Sequence, residues 1–430
     1  MRRQILLYIG ILLFIGIGAT LATLYAKGYR FGLGTGKATF GPTGLLVATS
    51  VPDSAEVLID GHLTTATNNT INLTPAEYEV KIQKEGYFPW QKKIIIQKEI
   101  VSKADALLLP IAPMLQALTF SGVQNPVIDP SQSRVAYTVA SQSARRNGVY
   151  VLDMNARPVL NLQTTANQIA DESVNQFSNA ILAWSPDGQQ LLAAVPSQDN
   201  STYTYYLLDA NGSNNNPQDI TLTLDNTLAT WQKEQSDKEA VRLSGLRKDL
   251  RNAIQQYFRV VGFAPDDTKI LYTASQSAEL PLIIKPRLIG VDSTPEDRNL
   301  EEGQTYVYDI KEDRNYKINV SVPAPTPTPS PAEILGVEPT PTPTTIAKLP
   351  QLLIHMTTPL RWFSDSAHLV YTHDKKIDIM EYDGANVTTI FAGPFVDTYA
   401  FPWPNGGKVV ILTDLGNTQV PPNLYSIGLK

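Results

Sequence analysis

The chain's four imidazoles are His62, His355, His368 and His373, and no two of them stand at the i, i+4 helical spacing of a zinc site. His368 and His373 flank one predicted strand five residues apart, which puts them on opposite faces because side chains alternate along a strand. The aspartates Asp187, Asp266 and Asp365 recur in similar turns and could pass for a carboxylate constellation. An Asp at a tight turn accepts hydrogen bonds from nearby backbone amides, however, and that accounts for all three without catalysis. Gly32-Leu33-Gly34-Thr35-Gly36-Lys37 has the look of a phosphate-cradling loop, but such a loop must follow a buried strand and open a helix, and neither is predicted there. The sequence contains no cysteine, which removes disulfides, thiol catalysis, Cys-ligated zinc and iron–sulfur chemistry and leaves the redox compartment open. No Gly-x-Ser-x-Gly elbow occurs. A net charge of −6 without a dense basic cluster argues against a nucleic-acid surface. The expectation is a protein with no catalytic residues, no cofactor and no metal.

If function resides in surfaces, the elements that carry them matter most. With 43% hydrophobic and 18% charged residues the chain can bury ordinary globular cores. After a four-residue tip, the uncharged stretch 5–26 would span about 33 Å as a helix, against a hydrocarbon core of about 30 Å. This is long for a signal-peptide core, and Leu24-Tyr25-Ala26 is a poor small-x-small cleavage site. An uncleaved single-pass anchor is expected, with Arg2 and Arg3 favouring an inside N-terminus and the bulk of the chain extracytoplasmic. Residues 27–44 are glycine-rich and read as a flexible juxtamembrane stalk.

Residues 45–109 show short alternating strands broken by turns, with Asp60-Gly61 as a strong hairpin signal. The segment contains Pro52-Asp53-Ser54-Ala55, Ile59-Asp60-Gly61, Pro75-Ala76-Glu77-Tyr78 and Lys84-Glu85-Gly86-Tyr87 followed by Trp90. In these features it resembles the PEGA domain, with Ser54 and Ala76 standing where that family carries glycine. The resemblance implies a small β-sandwich, in which Tyr78, Tyr87 and Trp90 are expected to be core residues.

Residues 115–430 repeat one unit. Ile128-Asp129-Pro130-Ser131 returns as Trp184-Ser185-Pro186-Asp187-Gly188, as Phe263-Ala264-Pro265-Asp266, as Trp362-Phe363-Ser364-Asp365 and as the turn Pro404-Asn405-Gly406, each followed by an apolar strand. Most copies are followed by a further strand closing on an acidic turn, such as Val149-Tyr150-Val151-Leu152-Asp153 or Tyr306-Val307-Tyr308-Asp309. Units of this kind bury both faces only by stacking on their neighbours. The pattern resembles the TolB-like and WD-repeat propeller families, and the resemblance implies a β-propeller of about five to six blades. The turns are separated by 56, 79, 99 and 40 residues, against about 40–45 for a bare blade, so the middle blades must carry insertions. One, 225–258, is helical by pattern: Ser236 and Glu239 have capping-box spacing, and Leu243, Leu246, Leu250, Ile254 and Tyr257 draw one apolar stripe. The other, 322–350, alternates proline with Thr or Ser around Ile334-Leu335-Gly336-Val337 and reads as an extended loop.

The fold class expected is thus mainly β: a transmembrane helix, a PEGA-like sandwich and a propeller-like domain. The function expected is a membrane-anchored binding or scaffolding protein of the cell envelope, with an envelope protein or polymer as partner and Ile334, Leu335 and Val337 as candidate docking residues. The alternative is an extracytoplasmic propeller hydrolase, which would require several carboxylates and an Asn or His to converge in the central funnel.

Overall fold

A computed structural model of the chain describes residues 2–26, 30–34, 37–140, 143–155, 166–197, 202–320 and 358–429. It divides into two compact units, residues 1–111 with 284–295, and residues 112–283 with 296–430.

The first unit opens with helix α1 (Arg2–Ala26). Within it Leu7–Tyr25 forms a 19-residue apolar window, none of it buried by the protein. An apolar helix left uncovered by its own chain fits a membrane anchor or a signal sequence. The stretch expected to be a flexible stalk instead carries an antiparallel hairpin, β1 (Arg30–Gly34) and β2 (Lys37–Gly41), with Phe31 opposite Phe40 and Leu33 opposite Ala38. Paired backbone thus stands where glycine content alone suggested a free linker.

Seven strands follow: β3 (Gly44–Val51), β4 (Glu56–Ile59), β5 (His62–Ala66), β6 (Asn69–Leu73), β7 (Ala76–Gln83), β8 (Trp90–Ile96) and β9 (Val101–Leu107). They form a three-stranded sheet, β6-β3-β9, and a four-stranded sheet, β5-β4-β7-β8. The period-2 burial of β3, β7 and β8 directs Leu46, Ala48, Val80, Ile82, Ile94 and Ile96 into a shared core with Val57, Ala104 and Trp90, against which Tyr78 and Tyr87 pack partly buried. Asp60 and Gly61, at φ 50° and 79°, make the two-residue turn between β4 and β5, a connection whose twist suits paired strands.

The second unit contains five four-stranded antiparallel sheets among the described residues. Blade 1 is 124–128, 134–139, 148–153 and 166–171; blade 2 is 181–184, 190–196, 203–209 and 218–219; blade 3 is 258–263, 269–274, 305–309 and 314–318; blade 4 is 360–362, 368–373, 376–381 and 388–392. Blade 5 takes 400–402, 408–413 and 423–428 from the far end of the chain and its outer strand, Leu115–Ala117, from the near end, with Leu115 opposite Ile427 and Ala117 opposite Tyr425. That pairing closes the array on itself. Blade 5 then shares a core with blade 1 through Phe401, Val410 and Leu424 beside Val135, Tyr137 and Leu152. Blades 1 and 2 meet through Val127, Val149, Leu182 and Trp184, and blades 3 and 4 through Leu271, Val307, Leu360 and Trp362.

The helical insertion consists of two helices, α2 (Leu224–Ser244) and α3 (Lys248–Tyr257), broken at Gly245. Ser236 and Glu239 lie inside α2 and cap nothing, so the helix starts earlier than the capping-box spacing predicts. Its first half buries Leu224, Leu228 and Trp231 against blade 2 residues Ala183, Leu192, Ala194 and Tyr205. Leu250, Ala253 and Ile254 of α3, with Leu243, Leu246 and Tyr257 beside them, pack on blade 3 residues Phe258, Ile270, Tyr272 and Tyr308. The apolar stripe read from sequence is therefore real, and the hairpin serves both blades, one through each helix.

Candidate interaction surface

In a four-stranded antiparallel blade, the turn from first to second strand and the turn from second to third leave at opposite ends. All five repeat turns of the second unit consequently lie on one rim. Their acids are engaged locally. Asp187 Oδ1 accepts from Ser185 Oγ at 2.6 Å and the Gln189 amide at 2.9 Å; Asp129 Oδ1 accepts from the Ser133 and Arg134 amides; Asp266 Oδ1 accepts from the Thr268 amide and hydroxyl. The hydrogen bond from Ser185 holds the Asp187 carboxyl below the ordinary carboxylate range. Burial opposes ionisation of Asp365, but the His368 ring at 2.7 Å and the Ala367 and His368 amides outweigh it and lower its pKa too. Carboxylates held ionised by turn amides are poor general acids.

Basic residues on this rim and along the inner strands join blades. Arg134 donates to the Gly188 carbonyl and stacks 4.9 Å from the Trp184 ring, while Trp184 Nε1 donates to the Val127 carbonyl at 3.0 Å. Trp362 repeats the last contact on the Gly262 carbonyl at 3.2 Å, and Lys269 sits 4.5 Å from the Tyr382 ring centroid. Arg361, whose pKa burial pushes down to about 10, lies 5.0 Å from the Phe401 centroid and donates to the Thr398 carbonyl at 3.1 Å. These charges act as cement between blades. Among the described residues no group of three or more His, Cys, Asp or Glu side chains is placed to hold a metal ion.

The opposite rim carries the second-to-third turns and the links between blades, and among its described residues several large apolar side chains are exposed beside charged ones such as Asp374, Lys375 and Asp397. Phe120 and Val174 are 82% and 80% exposed on links into blades 1 and 2, and Val396, Leu415 and Val420 are exposed around blade 5. Their loops are nonetheless fixed. Thr119 Oγ1 donates to Asn423 Oδ1 at 3.0 Å and accepts from the Leu424 amide at 2.9 Å. The Val123 amide donates to the Pro422 carbonyl, and Thr413 Oγ1 donates to the Pro394 carbonyl while accepting from the Leu415 amide. Beside Val174, Glu172 accepts from the Ser178 amide and from Asn147 Nδ2. His373 stands on the same rim, at the turn between the second and third strands of blade 4. Its Nε2 lies 2.7 Å from Asp378 Oδ2, its ring stacks on Tyr371 at 4.6 Å, and the bond to Asp378 raises its pKa above the ordinary value. Hydrogen-bonded loops that present exposed apolar side chains suit recognition of another surface.

His62 lies exposed at the start of β5 in the first unit; in blade 4 of the second, His368 is buried against Asp365 and His373 stands at the other end of the same strand, bonded to Asp378. His355 and the candidate docking residues Ile334, Leu335 and Val337 lie outside the described residues. Sequence reasoning passed over Phe120, Val174, Leu415 and Val420, because a lone apolar residue among turn formers carries no periodic signal.

The two-sheet sandwich with its Asp60-Gly61 hairpin and buried Trp90 has a counterpart in sequence. Residues 43–110 match the PEGA domain. In this PEGA domain the two positions lacking glycine behave differently: Ser54 adopts φ 57°, whereas Ala76 simply opens β7. No curated relative matches the chain by sequence. Among solved structures it is similar to a protein described as TolB from Agrobacterium tumefaciens, at 11% identity and a TM-score of 0.21 over 76% of this chain and 75% of that one. It is similar to TolB from Acinetobacter baumannii at 14% identity and 0.23, over 83% of this chain and 61% of that one. The tricorn protease follows at 11% identity and 0.19, over 79% and 26%. The propeller-like architecture rests on the chain's own five sheets and not on these likenesses.

Proposed function

We propose that this chain is a membrane-anchored binding or scaffolding protein of the cell envelope, held by α1 with its two β units on the extracytoplasmic side, and that it works through contacts rather than catalysis. The observation that carries this reading is the rim of exposed apolar side chains, Phe120, Val174, Leu415 and Val420, set on hydrogen-bonded loops. Apolar groups fixed in water favour a protein partner over a polar polymer. The acids of the repeat turns and the cations between blades support it from the other direction, since each has a structural task. Ile334, Leu335 and Val337 are a second proposed docking segment, because apolar residues held on a proline-rich arm suit strand addition or groove docking.

Site-specific photocrosslinking in native membranes tests the reading. A crosslinker at Phe120 should capture a discrete partner that one at Gln189, on the repeat-turn rim, does not. Replacing Leu415 and Val420 with Ser should lower that recovery several-fold with the thermal transition unchanged, and Ser at 334, 335 and 337 should lower it independently. Equal recovery from both rims would remove the rim from consideration.

A further inference from the structure

The segment 284–295 leaves the second unit and belongs to the first. The residues that flank it are held within the second unit. Asp313 Oδ2 accepts from the Ile283 amide at 2.8 Å, and Arg298 bonds Asp313, Glu296 and the Pro281 carbonyl at 2.7, 2.9 and 2.9 Å. In the first unit Asp292 pairs with Lys92 at 3.0 Å and Ser293 Oγ accepts from the Ile95 amide of β8 at 2.9 Å. Gly290, at φ +72°, approaches so closely that a Cβ there would lie 2.6 Å from Ile100 Cγ2. Held at these points, the tip Lys285-Pro286-Arg287-Leu288-Ile289 is exposed throughout, Leu288 to 43% and Ile289 to 75%.

The place of this tip in the PEGA domain is informative. Ile100 accepts from the Leu45 amide at 2.9 Å, and Glu99 donates to the Thr43 carbonyl, so Gly290 packs at the end of the sandwich where the chain arrives from α1. The connection is short. The hairpin folds back so that Arg30 faces Gly41, leaving four residue steps before it and three after it, which bound the path from Ala26 to Gly44 at about 30 Å. Lys98 and Val101 are exposed at the same end. A fixed loop with two exposed aliphatic side chains beside two cations, close to an apolar helix, has the composition of an interfacial lipid contact.

We propose that residues 285–289 form a second membrane contact, in which Leu288 and Ile289 enter the headgroup boundary of the bilayer that holds α1, with the adjoining cations on anionic headgroups. The proposal rests on reading α1 as a membrane anchor. The absence of natural cysteine makes a single label unambiguous. Full-length Ile289→Cys carrying an environment-sensitive nitrobenzoxadiazole dye, reconstituted in phosphatidylglycerol-containing vesicles, should emit blue-shifted and be quenched by spin-labelled lipid. The same dye at Glu85→Cys, on the turn at the far end of the sandwich, should remain water-like. The shift at 289 should shrink in phosphatidylcholine alone and with Lys285→Glu. If the protein floats with the vesicles and the dye at 289 stays water-like, the tip contact is overturned while the anchor stands; an equal shift in both lipids overturns the role of the cations. Failure to float with any vesicle overturns the anchor reading and the tip contact with it.

Discussion

Ser54 holds a left-handed backbone conformation, φ 57°, that costs a residue with a side chain about 1–2 kcal/mol and glycine almost nothing. Ser54→Gly should therefore raise the stability of the PEGA domain by about 0.5–1 kcal/mol, after allowance for the greater entropy of glycine in the unfolded chain, read as a higher urea midpoint for the sandwich transition. An unchanged or lower midpoint would mean that the Ser54 side chain compensates for its backbone. His373 makes a second residue-scale prediction. Its bond to Asp378 lifts its pKa in the folded state, so its contribution is fully present below the unfolded value and lost as pH rises through the folded one. The stability difference between the natural chain and His373→Gln should thus be larger at pH 5.5 than at pH 9; a constant difference would contradict the pairing. The roles of Asp187, Asp266 and Asp365 were legible in sequence because an Asx turn is a local event. Exposure at Phe120 or Ile289 depends on which loops the fold brings to one rim or end, and no local pattern records that.

At the scale of elements, the α2–α3 hairpin shows what periodicity captures and what it misses. The spacing of Leu243, Leu246, Leu250 and Ile254 identified the face that meets blade 3. The break at Gly245 and the second face, Leu224, Leu228 and Trp231 against blade 2, fell outside it, since a stripe on one helix is silent about the opposite partner. With one helix packed on each blade, loss of either contact should be costly. Leu250→Asp should destabilise the unit by about 3 kcal/mol or more, by burying an unpaired charge, and Trp231→Ala by about 3–5 kcal/mol, both measured by denaturant unfolding. A small effect at Trp231 alone would mean that only α3 is structural. The juxtamembrane hairpin was missed for another reason: glycine content signals freedom, but the register of Phe31, Leu33, Ala38 and Phe40 is set only when the strands meet.

For the whole molecule, the order of units was legible, because an uncharged helix, the PEGA turns and a repeated aromatic–turn–strand unit are each strong signals. The five described blades lie at the lower end of the range expected, and closure by Leu115–Ala117 is a pairing between distant segments that no repeat spacing predicts. The excursion of 284–295 into the first unit is non-local in the same sense. Blade 3 completes its sheet at Ile318 and blade 4 begins at Leu360, so deletion of residues 324–345 should leave the thermal transition within a degree or two; unfolding would give that segment a structural role. We propose that α1 anchors the chain with both β units on the extracytoplasmic side. Protease added to intact spheroplasts tests it most directly. The second unit should be degraded while a cytoplasmic control protein survives, whereas full protection until the membrane is lysed would place the β units inside and contradict this topology.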